Sequence, residues 1–369
     1  MVKLALQAHP SPQVFQPRNT RTIYGTLVLG LVLLNGWGVV LYGLPGLLTL
    51  AGGVLGFLLA DAFVARIVTK KGYDVLQSLA LGLIFVSLLP PNTGLFLAFF
   101  AGAGGTILGR WTFGGMGGMW IHPALVGLLL LSFFTSGALD RFLSPVILEG
   151  TWVSPEILDS PPLANQLTRY FVQGPVLSRP AEIIGQSPGA QFSVDQGLRS
   201  WLNTQIFHPF GVNLPGGYIA SFLGVGGTPL GAGSMALVLL VSIFLVGRQV
   251  IHSRVSFWYL FVVIVGIYVY GDVPVNGQWF RGDMLFFLSS GTMLFSGFFL
   301  YADFSLAPAF KKGQIFYGIF GGLFTLIFVF GGIGIYSGPF GAVTISLIGV
   351  ITNRYLRPKL YGKSRRLAL

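Results

Sequence analysis

Gly114-Gly115-Met116-Gly117, followed by Pro123-Ala124, is answered later in the chain by Gly331-Gly332-Ile333-Gly334, followed by Pro339-Phe340. In each case a glycine block precedes a proline at nearly the same distance, and an apolar run follows the proline. Glycine permits left-handed backbone and close approach of chains. Proline suits the first turn of a helix. Each block therefore predicts a tight turn feeding a helix that starts at or near its proline. At membrane depth, non-helical backbone is tolerated only where protein buries it or where it lines a cavity. Both final runs are thus candidate walls of a ligand or ion site. Helix packing through small residues is the other use of the same glycines.

The surroundings of both blocks are apolar. Hydrophobic residues make up 53% of the 369-residue chain and charged residues 9%, whereas a soluble domain carries about 25% charged residues. So few charges cannot cover a water-facing surface, and lipid must solvate most of the chain. Ten runs approach membrane-spanning length, at roughly 23–43, 45–65, 75–90, 94–109, 120–136, 232–247, 255–271, 284–302, 314–331 and 336–352. Five precede and five follow the polar stretch 137–231, which is rich in Pro, Gly and Ser. Five is odd, so the second set enters the membrane from the opposite side. The predicted fold class is an all-α polytopic membrane protein with about ten transmembrane helices arranged as two inverted five-helix repeats. Residues 1–136 form the first repeat, 137–231 an outer-face loop, and 232–369 the second repeat with a basic tail.

The formal net charge is +11, and its distribution orients the chain. With an inside N-terminus, all of the 22 Lys and Arg residues except Arg141, Arg169, Arg179, Arg199 and Arg281 fall on the inner side. This is the positive-inside pattern. It predicts an integral membrane protein with both termini cytoplasmic and 137–231 outside. The tail Arg354–Arg366 then reads as an anchor on anionic lipid rather than a nucleic-acid arm. The first apolar run starts only at Ile23, after Pro10, Pro12 and Pro17, and is too long for a signal peptide. Cysteine is absent, so the chain holds no thiolate-ligated cluster. The four histidines are scattered, and only His122 lies in a span, which leaves no haem ligand pair in the bilayer.

Few residues carry chemistry. Asp61 is the one acid well inside a hydrocarbon segment, with Arg66 about a turn away as its expected partner. Asp303 is placed to cap the segment that follows it. Residues 194–207 suit a short amphipathic helix with Leu198, Trp201, Leu202 and Ile206 on one face. No nucleophile–base motif, phosphate-binding loop or metal-ligand spacing is present, so no catalytic or metal-ligating residue is assigned. The turn Gly226-Gly227-Thr228-Pro229-Leu230 closes the outer loop. Thr228 there reads as a helix N-cap with Pro229 in the first turn, and the exposed N–H groups of such a turn suit a phosphate.

Several stretches in order resemble the RnfD/NqrB family, membrane subunits of Rnf electron-transport complexes and of the related sodium-pumping NADH:quinone reductase. They are Ser11-Pro12 with Asn19-Thr20-Arg21, then Asp74 with Gly82-Leu83 and Leu89-Pro90-Pro91. Gly114-Gly115-Met116-Gly117 with Pro123-Ala124 comes next, followed by Ser290-Gly291 through Phe298-Phe299 to Asp303 and Pro308. Last is Tyr336, Pro339 and Gly341 with Asn353-Arg354-Tyr355. The resemblance spans all ten runs but not residues 137–222. It implies a component of a larger membrane complex that relays electrons through flavin, coupled to Na⁺ or H⁺ movement, with other membrane subunits as partners. It also implies FMN joined through a phosphoester to a threonine in a Ser-Gly-Ala-Thr-Pro-Leu stretch on the outer face. The matching residues here are Val225, Gly226, Gly227, Thr228, Pro229 and Leu230. Val225 replaces Ser, Gly227 replaces Ala, and Phe222 stands where the pattern has Asp. Gly226, Gly227, Thr228 and Pro229 are therefore the expected flavin site, for covalent or non-covalent FMN or for riboflavin. His122 takes the place of Asn in an Asn-Pro-Ala motif, either to meet a flavin edge or to fill a polar niche. The alternative reading is a flavin-free member of the same fold: a small-solute channel or transporter, or an accessory subunit of a larger complex.

Overall fold

The structure is a computed structural model and describes residues 19–69, 74–115, 118–135, 139, 142–143, 145, 193–210, 216–273, 278–289, 292–308 and 310–355. Most of the 137–231 loop and the basic tail therefore lie outside the described residues. Those described are helical and contain no β-strand. The segments 20–69, 95–111, 123–134, 235–247, 253–270 and 311–330 present apolar side chains such as Phe63, Phe96, Phe133, Ile243, Phe257 and Ile327 outward. A helix surface of this kind requires lipid around it.

Helix α1 runs Thr20–Val64. Its 45 residues would extend about 67 Å if straight, more than twice the roughly 30 Å hydrocarbon core. It is not straight. Gly43 takes φ 64°, ψ −140°, and Pro45 follows, removing a helix donor. A Cβ built on Gly46 would sit 3.6 Å from Gly38 O, whereas eight residues of continuous helix rise about 12 Å. The chain folds back on itself here, which divides α1 between the expected runs 23–43 and 45–65.

The other helices align by their contacts. Helix α2 (Val75–Leu88) has Asp74 as its N-cap, accepting from Leu76 N at 3.2 Å. Its Gln77 meets Tyr24 and its Ser87 meets Asn35, so it runs parallel to the first arm of α1. Helix α3 (Leu95–Thr106) lies along the second arm, with Leu95 O beside Gly52 and Phe99 O beside Gly56. Helix α4 (Pro123–Phe134) runs back along α3, Pro123 against Gly109 and Gly127 against Ala101. The apolar segments of the first half thus alternate in direction.

Helix α5 (Ser193–Leu202) is amphipathic as expected, with Leu198 and Trp201 exposed. A π-helical turn continues it through Asn203–Phe207. Helix α6 (Tyr218–Leu223) leads into a loop, and α7 (Met235–Gly247) packs Val241 and Leu245 on Gly30, antiparallel to the first arm of α1. Helix α8 (Ser253–Tyr270) lies antiparallel to α9 (Met284–Ser289), α10 (Thr292–Phe295) and the π turn Ser296–Leu300, with Ser256 bonded to Gly297 O and Tyr259 to Met293 O. Helix α11 (Lys311–Phe330) runs parallel to α8, with Gly318 beside Val255 and Gly266 beside Leu326. Helix α12 (Ser337–Tyr355) returns along α11. Pro339 sits in its first turn, as Pro123 opens α4. Both glycine blocks carry left-handed residues: Gly114 and Gly115 in the first, Gly332 and Gly334 in the second.

Candidate functional site

Two buried polar sites lie at opposite ends of the helices. The first surrounds Thr228. The whole segment 224–234 is buried without being helical. It docks on the end of α2, where Leu230 N donates to Leu89 O, and Gly231 N and Ala232 N both donate to Ser87 O. Gly224 and Gly227 take positive φ of 86° and 75°, which only glycine adopts easily.

Thr228 is 2% exposed. Its N–H donates to the Tyr42 hydroxyl at 2.8 Å, and its Oγ1 donates to Gly224 O at 3.2 Å. With that proton committed, the 3.1 Å contact between the hydroxyls has Tyr42 as donor. The circuit is closed, and Thr228 ties the loop to the first arm of α1. A Cβ on Gly233 would lie 1.9 Å from Oγ1, so the main chain at 233 already crowds that oxygen. Thr228 is not the helix cap expected from its sequence. Ser234 caps α7 instead, accepting from Leu237 N, because the chain needs Gly231–Gly233 to turn before the helix starts.

These contacts bear on flavin directly. A phosphoester on Oγ1 needs an open side for the phosphate. Here Tyr42, Gly224 O and Gly233 occupy those sides, so the residues as arranged do not fit an esterified Thr228. Nearby, an apolar cavity of about 380 Å³ is lined by Leu198, Leu202, Tyr218, Phe222, Leu223 and Met235. Phe222 thus puts a ring, not a carboxylate, at this end. Acids are nevertheless close. Asp195 accepts from Gly217 N and Ala220 N, and Tyr218 donates to the Asp283 carboxylate. Burial, then that hydrogen bond, raises the Tyr218 phenol above its ordinary range.

The second site is at the other end. Asp61 is fully buried, and its partner is Arg110, not Arg66. Arg110 Nη1 is 2.8 Å from Asp61 Oδ2, and Trp111 Nε1 donates to Oδ1 at 2.7 Å. Ser78 Oγ also donates to Oδ2. Arg110 Nη2 donates to Gln77 Oε1 at 2.6 Å, and Gln77 Nε2 donates to Tyr24 OH at 3.1 Å. Arg66 is exposed. Sequence proximity suggested Arg66, yet Arg66 projects to the exposed side of its helix and cannot reach a carboxylate turned into the bundle. Arg110, at the foot of α3, can. A buried acid demands a buried cation, but Arg66 and Arg110 both border a span, so the sequence did not single out Arg110.

His122 belongs to this end and is far from Thr228, so the structure does not bring the sequence-predicted flavin residues together. His122 is the N-cap of α4, with Nδ1 accepting from Ala124 N at 3.2 Å. Its Nε2 lies 3.7 Å from Asp303 Oδ2. Asp303 caps the turn after it, as its position predicted: Ser305 Oγ donates to its carboxylate, and Ala307 N to its main-chain O. No group of three or more metal-ligating side chains occurs among the described residues.

Comparison with known proteins adds what the geometry lacks. The family described as NQR2, RnfD, RnfE matches residues 7–362. The D subunit of the ion-translocating oxidoreductase complex of Yersinia enterocolitica is 25% identical over 369 residues, covering 98% of this chain and 99% of that protein. The protein of the same name from Methanosarcina acetivorans is 22% identical over 336 residues, 90% of this chain and 86% of its own. The D subunit of the Na(+)-translocating ferredoxin:NAD(+) oxidoreductase complex of Acetobacterium woodii is 30% identical over 136 residues, 35% of this chain and 38% of that one.

Proposed function

The chain belongs to the NQR2, RnfD, RnfE family, and from that membership we propose that it is a membrane-embedded subunit of a multi-subunit ion-translocating oxidoreductase, with the other membrane subunits of that complex as its partners. The observation that carries this is end-to-end similarity to a protein of that name. Electron transfer in the assembled complex would drive Na⁺ or H⁺ across the membrane.

The same reading takes the fold as ten spans in two inverted halves. Its support is the opposite direction of α7 to the first arm of α1, the alternation within each half, and glycine blocks with left-handed residues at opposite ends. Arg21, Arg66, Arg110, Arg248, Arg254 and Lys311 share one end. By the positive-inside rule that end faces the cytoplasm of a bacterial inner membrane, and Thr228 faces out.

Within this reading, the closed hydroxyl of Thr228 favours a subunit without covalent flavin over one carrying FMN at Gly226-Gly227-Thr228-Pro229. The intact mass of the purified chain is expected to match the unmodified polypeptide, and its denaturing-gel band is expected to be free of flavin fluorescence. A fluorescent band that Thr228→Ala abolishes would establish the esterified form instead.

A further inference from the structure

His122 and Asp303, each a cap of its own segment, also face each other across the seam between α4 and the segment that follows α10. The imidazole is fully buried, and the Asp303 side chain keeps only 7% exposure. His122 Nδ1 accepts the Ala124 N–H, so it carries no proton. In the neutral ring the proton therefore sits on Nε2. That atom has no hydrogen-bond partner among the described residues, although a buried donor normally finds one. It is aimed at Asp303 Oδ2 from 3.7 Å, just beyond hydrogen-bond reach.

Among the described residues no Lys or Arg forms an ion pair with Asp303. Tyr24 packs its ring 5.2 Å from that of Phe304 with a 54° tilt, and Tyr317 of α11 packs edge-on against Tyr301. Arg110 is committed to Asp61 and Gln77. His252 contributes its main-chain N–H to Ala302 O. The carboxylate accepts from the Ser305 hydroxyl and from the main-chain N–H groups of Phe304 and Ser305.

We propose that His122 and Asp303 form a proton-binding site between the two halves of the protein. Asp303 takes up a single proton on its carboxylate, and His122 Nε2–H sets how readily it does so. Loading takes the pair from one net negative charge to none, and release returns the proton to water at the Arg110 end. No other bond changes, and no electron is moved. The imidazole is not the group that loads, because a proton on Nδ1 would break the α4 cap. Burial pushes the Asp303 carboxyl up to about 6, against the hydrogen bonds it accepts from Ser305 and Phe304, and the Nε2–H dipole that faces it from 3.7 Å adds to those donors. Opposed influences of this kind let a site exchange its proton near neutral pH. The role in ion translocation rests on the function proposed above and names H⁺ as an ion this chain can carry.

The test is infrared spectroscopy of the full chain in lipid nanodiscs as pH is varied through neutrality. The wild type should show a protonated-carboxyl band that titrates. Asp303→Asn keeps the side chain's shape and should remove the band. His122→Asn retains a side chain that caps helices well but is too short to reach Asp303. Losing the N–H donor makes the carboxylate harder to form, so the midpoint should rise by about one pH unit. A band that survives Asp303→Asn, no titrating band at all, or an unmoved midpoint in His122→Asn would each overturn the proposal. Since only the isolated chain is needed, such a failure would leave the assignment to an oxidoreductase complex untouched.

Discussion

Arg110→Met is expected to destabilise the protein by about 3–5 kcal/mol, because it leaves the Asp61 carboxylate buried without a counter-charge. Asp61 is fully buried and Arg110 5% exposed, so neither charge can fall back on water. Trp111 and Ser78 would still donate to Asp61, but neutral donors do not replace a guanidinium. Asp61→Leu should cost a similar amount, since Arg110 would retain only the neutral acceptors Gln77 Oε1 and Ser78 Oγ. The double variant Asp61→Leu/Arg110→Met should be far milder than the sum of the two, because an apolar pair of similar volume avoids desolvating either ion. Thermal unfolding in detergent of the four proteins closes the cycle. Additive losses would show that the two residues do not act as a pair.

Gly38→Ala is expected to disrupt the junction between the halves, by about 1–3 kcal/mol or more. The new Cβ would lie 2.0 Å from Leu230 O and 2.7 Å from its carbon. Those are main-chain atoms, so no rotamer change relieves the clash. They also belong to the segment whose N–H groups bond the end of α2, so a shift there strains the Tyr42–Thr228 circuit as well. Gly25 is the control: nothing stands within 4 Å of a Cβ at that site. Gly25→Ala should be neutral or slightly stabilising, since alanine is the better helix former. Equal melting temperatures for the two variants would contradict the packing described at Gly38.

The readable parts of this protein were those set by local chemistry. Apolar runs marked the helices, and the boundary between the runs 23–43 and 45–65 falls at the fold-back inside α1. Pro123 opened α4, and Asp303 capped its turn. Leu198 and Trp201 showed the exposed face of α5. Long-range choices were hidden. Asp61 lies 49 positions from Arg110 in the chain, and nothing in the intervening residues favours Arg110 over the nearer Arg66. Thr228 has the sequence of a cap, but its hydroxyl is claimed by Tyr42, 186 positions away. His122 was open to two readings, a flavin edge or a polar niche, and the fold sets it at the end opposite Thr228, capping α4 and facing Asp303. In each case a side chain found its partner through tertiary packing, which periodicity does not encode.

The proposed role in an ion-translocating oxidoreductase makes redox-driven ion uptake depend on this chain. It is tested most directly in inverted membrane vesicles from the native host, comparing wild type, a deletion of this chain and the complemented deletion. Reductant-driven uptake of Na⁺ or H⁺ by this complex should vanish on deletion and return on complementation. Undiminished redox-driven uptake in the deletion strain would contradict it.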